Sequence, residues 1–440
     1  MFLGACCLKN RVLALVVGLC AALVVSSCGG GNSTSKVSGL PERVLASQGV
    51  TSTIIFGGLV IVNGTNDTIA RVAPIAAGSN PGIMAISPSR NIVASFDPAS
   101  NSVFAVDTTK EIAIGSNGVR LPGPTSSFIV PTSNQIGYAA VPTAAVNGFA
   151  YVGAIAQMNF ATSSFTTIAV NNAQTVVANS TGTQLLVFSA DSDSMTVLNP
   201  LAAVPPVDTS CFYPANGVCT VIPGFDRPVY AVINNNTAYV LNCGPQCGGK
   251  QASVMFFDLP SLTITKTIPV DAATVAVLNN SKLYVAGTSP TNHACTGQQT
   301  LATSCGRLSI VDVGAGTVVG TAVITDGYHT RMDYNVYNQL FIGSSDCTNI
   351  GNVNNPSGEV RGCLTIFNAA NGSIIIPPDN GNVGGLQGFT SRTIEYVAEG
   401  GNLRVYDTTT DKLLINADFI PNGTIDIVGY VGDVKAIDFF

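Results

Sequence analysis

Tryptophan is absent from this 440-residue chain, and histidine occurs only twice, at His293 and His329. Two histidines severely limit histidine-based acid–base catalysis. Charged residues make up only 10% of the chain, and acidic residues outnumber basic ones by 25 to 19. Such a chain repels a phosphate backbone, which excludes nucleic acid as a partner. Also missing are a GxSxG elbow, a phosphate-binding loop, a dinucleotide fingerprint and a haem-attachment motif, so no cofactor is expected. Helical periodicity is nearly absent after the first 28 residues. The longest apolar run, Val12 to Val25, is too short to span a bilayer comfortably.

What is present begins with an export signal. Lys9 and Arg11, with no acidic residue beside them, precede that apolar run, which ends in small residues and a cysteine. The ending Leu23-Val24-Val25-Ser26-Ser27-Cys28 resembles the lipobox of bacterial lipoproteins. The resemblance implies that residues 1–27 are a cleaved signal peptide and that Cys28 becomes a diacylated, palmitate-bearing N-terminus tied to a membrane. The alternative is an ordinary signal peptide cut at nearby small residues; both export the chain. Residues 28–49 read as a Gly/Ser-rich tether, reaching about 25 Å as a random coil, and residues 50–440 as one folded body. The expected location is the cell envelope, at the outer membrane or the cell surface. With Lys9 and Arg11 removed, 17 basic residues face 25 acidic ones, a net charge of −8.

Beyond the tether, short runs rich in Val, Ile, Phe and Tyr alternate with Gly, Pro, Asn and Asp, an all-β pattern. One phrase recurs, a strand ending on Asp or Asn: Leu59 to Asn63, Val103 to Asp107, Met195 to Asn199, Val254 to Asp258, Leu308 to Asp312, Leu364 to Asn368 and Leu403 to Asp407. An Asx side chain at a strand exit bonds the backbone of the turn that follows. The copy expected between Asp107 and Asn199, Phe149 to Gly153, reads as having lost its Asx ending. Repeats of about 45 residues holding four short strands predict a β-propeller, whose blades bury their faces only against each other.

The stretch Val60 to Pro88, together with Leu283-Tyr-Val-Ala-Gly287 and Ala238-Tyr-Val-Leu-Asn242, resembles YVTN-type propeller repeats over most of residues 55–440. The missing tryptophan argues against tryptophan-aspartate repeats and against quinoprotein propellers. Eight units are counted, although members of the resembling family commonly have seven blades. The first unit lacks an innermost strand while the C-terminus supplies spare strands, so strands from both termini are expected to share a blade.

Of twelve cysteines, Cys6, Cys7 and Cys20 leave with the signal and Cys28 carries lipid, so eight remain. They fall in neighbouring pairs: Cys211 with Cys219, Cys243 with Cys247, Cys295 with Cys305, and Cys347 with Cys363. In an exported chain this reads as a disulfide framework, paired locally because short loops close at least entropic cost. Cys243-Gly-Pro-Gln-Cys247 has zinc spacing, but no second Cys or His pair completes a site, so no metal is expected. All four pairs are expected on one face, with Cys211–Cys219 between an outer strand near Val204 to Val207 and the inner strand Val229 to Ile233.

His293 sits inside the Cys295 loop and reads as solvated. His329 opens an inner strand beside Arg331 and Asp333, and Asp226 and Arg227 hold the equivalent place in an earlier unit. These five are the candidate ring of charges at the mouth of the axial channel, for an anionic or sugar-like ligand or for pairing among themselves. Related propellers include lactonases, yet no lactonase residue set maps onto this chain. The leading expectation is a non-enzymatic, lipid-anchored scaffold that binds a protein or glycan through its cysteine-stapled loops. The alternative is a lactonase-like or other hydrolase at the channel mouth.

Overall fold

The computed structural model describes residues 37–50, 57–146, 152–199, 211, 219–289, 305–348, 363–377, 381–415 and 422–438. The strands assemble into eight sheets of four core strands each, the blades of an eight-bladed β-propeller. Blade 5 shows the pattern: Pro228–Asn234 lies innermost, followed outward by Thr237–Asn242, Ser253–Asp258 and Thr263–Pro269, every neighbour antiparallel. Blade 1 closes the ring. Its inner strand is the C-terminal Tyr430–Ala436, and its outer three are the N-terminal Arg43–Gly49, Gly58–Asn63 and Thr68–Ile69. Val44 pairs with Val62 on one side and Ala436 on the other, so strands from both ends of the chain share one blade and close the ring.

The recurring Asx phrase is the third strand of each blade. Its carboxylate or amide oxygen accepts backbone N–H groups of the turn leading to the fourth strand: Asn63 from Thr65 at 3.0 Å, Asp107 from Thr109 at 2.9 Å, Asp258 from Ser261 at 2.8 Å and Asp407 from Thr409 at 2.7 Å. Blade 3 corrects the expectation of a lost Asx. Its third strand runs Val152–Asn159, and Asn159 Oδ1 accepts the Thr162 N–H at 3.2 Å. The register shifts between Val152 and Ala154, so the regular ladder starts later and ends six residues beyond Gly153.

The core is a ring of eight apolar layers, one between each pair of neighbouring blades. Alternate residues of a strand feed opposite layers. In Arg43–Gly49, Val44 and Ala46 pack toward blade 8, while Leu45 packs toward blade 2. Burial on both faces explains why the strands read as continuous apolar runs and why so few charges are needed.

Charged groups at the closure are paired. Arg43, 3% exposed, donates to Asp438 at 2.5 and 2.8 Å and to Glu111, 1% exposed, at 2.8 Å. Arg392 of blade 8 grips Asp67 of blade 1 through two 2.7 Å hydrogen bonds. The folded body therefore begins upstream of the expected boundary at residue 50. Residues 43–49 are expected to be tether, but they form a buried strand paired with Gly58–Asn63 on one side and with Tyr430–Ala436, at the far end of the chain, on the other.

Candidate functional site: the axial mouth and its braced loops

Successive strands of a blade run up and down. The connections from second to third strand and from fourth strand to the next blade therefore share one face, and the remaining two share the other. Cys243–Cys247 lies between the second and third strands of blade 5, and Cys347–Cys363 occupies the same place in blade 7. Cys305, also disulfide-bonded, directly precedes the third strand of blade 6, Gly306–Asp312. Cys295 and His293 lie outside the described residues.

Cys211–Cys219 departs from the expectation of a single face. Cys219 opens the outer strand of blade 4, Cys219–Pro223, which pairs with Ser194–Leu198, so this disulfide closes a third-to-fourth-strand connection on the opposite face. The Cys211 N–H donates to Ala169 O, at the end of the fourth strand of blade 3, at 3.2 Å. The outer strand expected near Val204 to Val207 falls outside the described residues. Three consecutive blades thus carry braced connections on one face, and blade 4 carries one on the other.

The first face is held by aspartates placed two residues before an inner strand. Asp226, ahead of Pro228, accepts the N–H groups of Lys250 at 3.0 Å and Gln251 at 2.7 Å, pinning the loop that follows Cys247. Asp326, ahead of Tyr328, accepts the Thr348 N–H at 2.8 Å beside Cys347. Gln246, within the Cys243–Cys247 turn, accepts the Thr288 N–H at 2.9 Å and ties blade 5 to blade 6.

The five candidate ligand residues do not form one ring. Asp226 is the loop brace just described, and Asp193 accepts the Arg227 backbone N–H at 3.2 Å and lies 3.7 Å from its Nε. His329 is fully buried between blades 6 and 7, where a side chain at Gly306 would meet its Cε1 at 2.8 Å. Burial lowers its pKa to about 4, against a partial upward pull from the Thr325 backbone, so the imidazole is neutral at pH 7. Asp333 turns into the junction of blades 7 and 8, where it accepts the Gly388 N–H at 2.6 Å and lies against the buried Glu395. Burial, and then the Asp333 charge, hold the Glu395 carboxyl well above the ordinary range. Gly388 permits this contact, because a Cβ there would meet Glu395 Oε2 at 2.7 Å and Asp333 Oδ2 at 3.1 Å.

Of the five, only Arg331 lines the axial cavity, while His329, its side chain buried, borders the adjoining hollow. The register shifts between His329 and Arg331, which breaks the alternation and sends the two side chains apart. Arg331, Tyr230 and Lys435 line both an axial cavity of about 620 Å³ and an adjoining hollow of about 390 Å³. The hollow is bounded by Gln174, Val229, Val275 and Tyr328, at the beginnings of inner strands, and therefore opens on the face carrying the three braced connections. Tyr230 and Lys435 were not among the candidates; Lys435 lies in the C-terminal strand whose inner position depends on closure of the ring.

Among solved structures, the chain is similar to dihydro-heme d1 dehydrogenase NirN in complex with DHE, at 12% identity over 92% of this chain and 79% of that one, with a TM-score of 0.59. It is also similar to Kuenenia stuttgartiensis hydrazine synthase, at 13% identity over 82% and 93% of the two chains and a TM-score of 0.48. BamB from Moraxella catarrhalis follows at 11% identity over 81% and 88%, with a TM-score of 0.46. No protein-family description and no curated protein matches the sequence. At such identities the likeness to NirN speaks for the fold alone, and the chain is an eight-bladed β-propeller of its own sequence.

Proposed function

We propose that this protein is an exported, lipid-anchored scaffold that binds a protein or glycan partner through the braced loops of blades 5, 6 and 7. The observation that carries this reading is the gathering of three disulfide-braced connections in consecutive blades on one face. Loops held by a rigid scaffold lose less entropy on binding, and recognition residues concentrate on such loops. Aspartate braces at Asp226 and Asp326 work in the same direction. The lipid anchor at Cys28 rests on the lipobox resemblance, and the YVTN relationship on the repeats quoted above. The hydrolase alternative draws no support from His329, which is fully buried and neutral at pH 7.

The test replaces the connections around Cys243, Cys305 and Cys347 with short turns and compares crosslinked partners in intact cells. Loss of a specific adduct supports the surface; an unchanged set of adducts contradicts it. Labelling with a palmitate analogue that disappears in Cys28→Ala tests the anchor separately.

A further inference from the structure

The charges around the axial cavity do not balance. Among its lining residues the ionised groups are Arg331, Lys435 and Asp433. Lys435 Nζ lies 2.8 Å from Asp433 Oδ1, and that carboxylate is further held by the backbone N–H groups of Val434 at 2.7 Å and Met84 at 2.8 Å. Lys435 and Asp433 therefore cancel, and Arg331 remains as one uncompensated positive charge in a protein of net negative charge. Among the described residues no carboxylate lies within 4 Å of its guanidinium. Its Nε donates to Gly384 O at 2.6 Å and its Nη1 to Thr330 O at 3.2 Å, which fixes the plane of the group and leaves further N–H donors unspent. The Tyr230 phenol, on an inner strand two blades away, feels the Arg331 charge, which offsets part of the upward push of burial on its pKa. Met84, Val177, Ile233, Leu278 and Met332 add apolar patches to a lining whose exposed surface is more polar than apolar.

We propose that the axial cavity binds a small amphipathic monocarboxylate, its carboxylate on Arg331 beside Lys435 and its apolar body along the inner strands. A fixed planar guanidinium matches a carboxylate through paired N–H donors. One net positive charge matches a monoanion, and a volume of about 620 Å³ holds an organic molecule, not merely a bare inorganic ion. Apolar patches beside a few convergent polar groups let such a site orient an amphipathic ligand. The site is independent of the loop surface: losing it leaves the crosslinking pattern intact, and losing the loop surface leaves the carboxylate bound.

Calorimetric titration of the mature protein with sodium octanoate, octanamide and inorganic phosphate tests this. The expected result is one octanoate per chain, weakening as ionic strength rises and bound at least tenfold more tightly than octanamide. Arg331→Gln and Lys435→Met, checked for an unaltered melting temperature, are each expected to weaken octanoate at least tenfold. If one variant does not fold, the other and the ionic-strength series carry the test. No octanoate binding, equal affinity for octanamide, preference for phosphate, or unaltered binding in folded variants would each overturn the proposal.

Discussion

His329 shows how a single buried ring sets the response of this fold to acid. Its folded-state pKa of about 4 lies below the ordinary value of 6.5, so the unfolded chain takes up the proton first as pH falls. Its contribution is fully present above pH 6.5 and is lost between there and pH 4, on the order of 3 kcal/mol in all. Thermal melts from pH 7 to 4 should show this slope in the wild-type protein and a flatter one in His329→Leu. Glu395 acts in the opposite direction. Its pKa is raised in the fold, so stability is complete below the ordinary carboxyl range and declines as pH climbs toward the folded value. Glu395→Gln, which keeps the shape of the neutral carboxyl, should melt higher than wild type at pH 9, and an unchanged melt there would contradict the assignment. Neither behaviour was legible in the sequence. The register shift beside His329 separates its buried ring from Arg331, and Asp333 meets Glu395 only once two blades are in contact.

At the scale of elements, the third strands were the most readable part of the chain, because an Asx at the strand exit and its turn bond are neighbours in sequence. Strands whose partners are remote were less so. Arg43–Gly49 reads as tether because one of its two partner strands lies near the C-terminus, and the outer strand of blade 4 is misread because many short apolar runs compete and only pairing with Ser194–Leu198 decides. That misplacement put Cys211–Cys219 on the wrong face. The disulfides differ in expected weight, since a longer closed loop restricts the unfolded chain more. Removing Cys347–Cys363, which spans 16 residues, should cost about 3 kcal/mol, and removing Cys243–Cys247, which spans 4, about 2 kcal/mol. Denaturant unfolding of the paired Cys→Ser variants gives both numbers, and a reversed order would contradict the loop-closure account.

For the whole molecule, stability depends on joining the two ends of the chain. Eight inter-blade layers form a closed circle only if Tyr430–Ala436 pairs with Arg43–Gly49. Arg43→Met leaves Glu111 and Asp438 without their buried cation and should cost about 3–5 kcal/mol. Measured by denaturant unfolding, a loss below about 1 kcal/mol would show that the ring closes without this pair. Closure also builds the axial site, since Lys435 and Asp433 come from the last strand and Arg331 from blade 7. The central claim is that one face of the ring is the working face. Photocrosslinking residues placed at Lys250, on the braced face, and at Tyr337, exposed in the first turn of blade 7 on the other, test it in intact cells. Position 250 is expected to give a defined adduct that vanishes when the braced loops are shortened, and position 337 none. The same adduct from both positions, or one from position 337 alone, would contradict it.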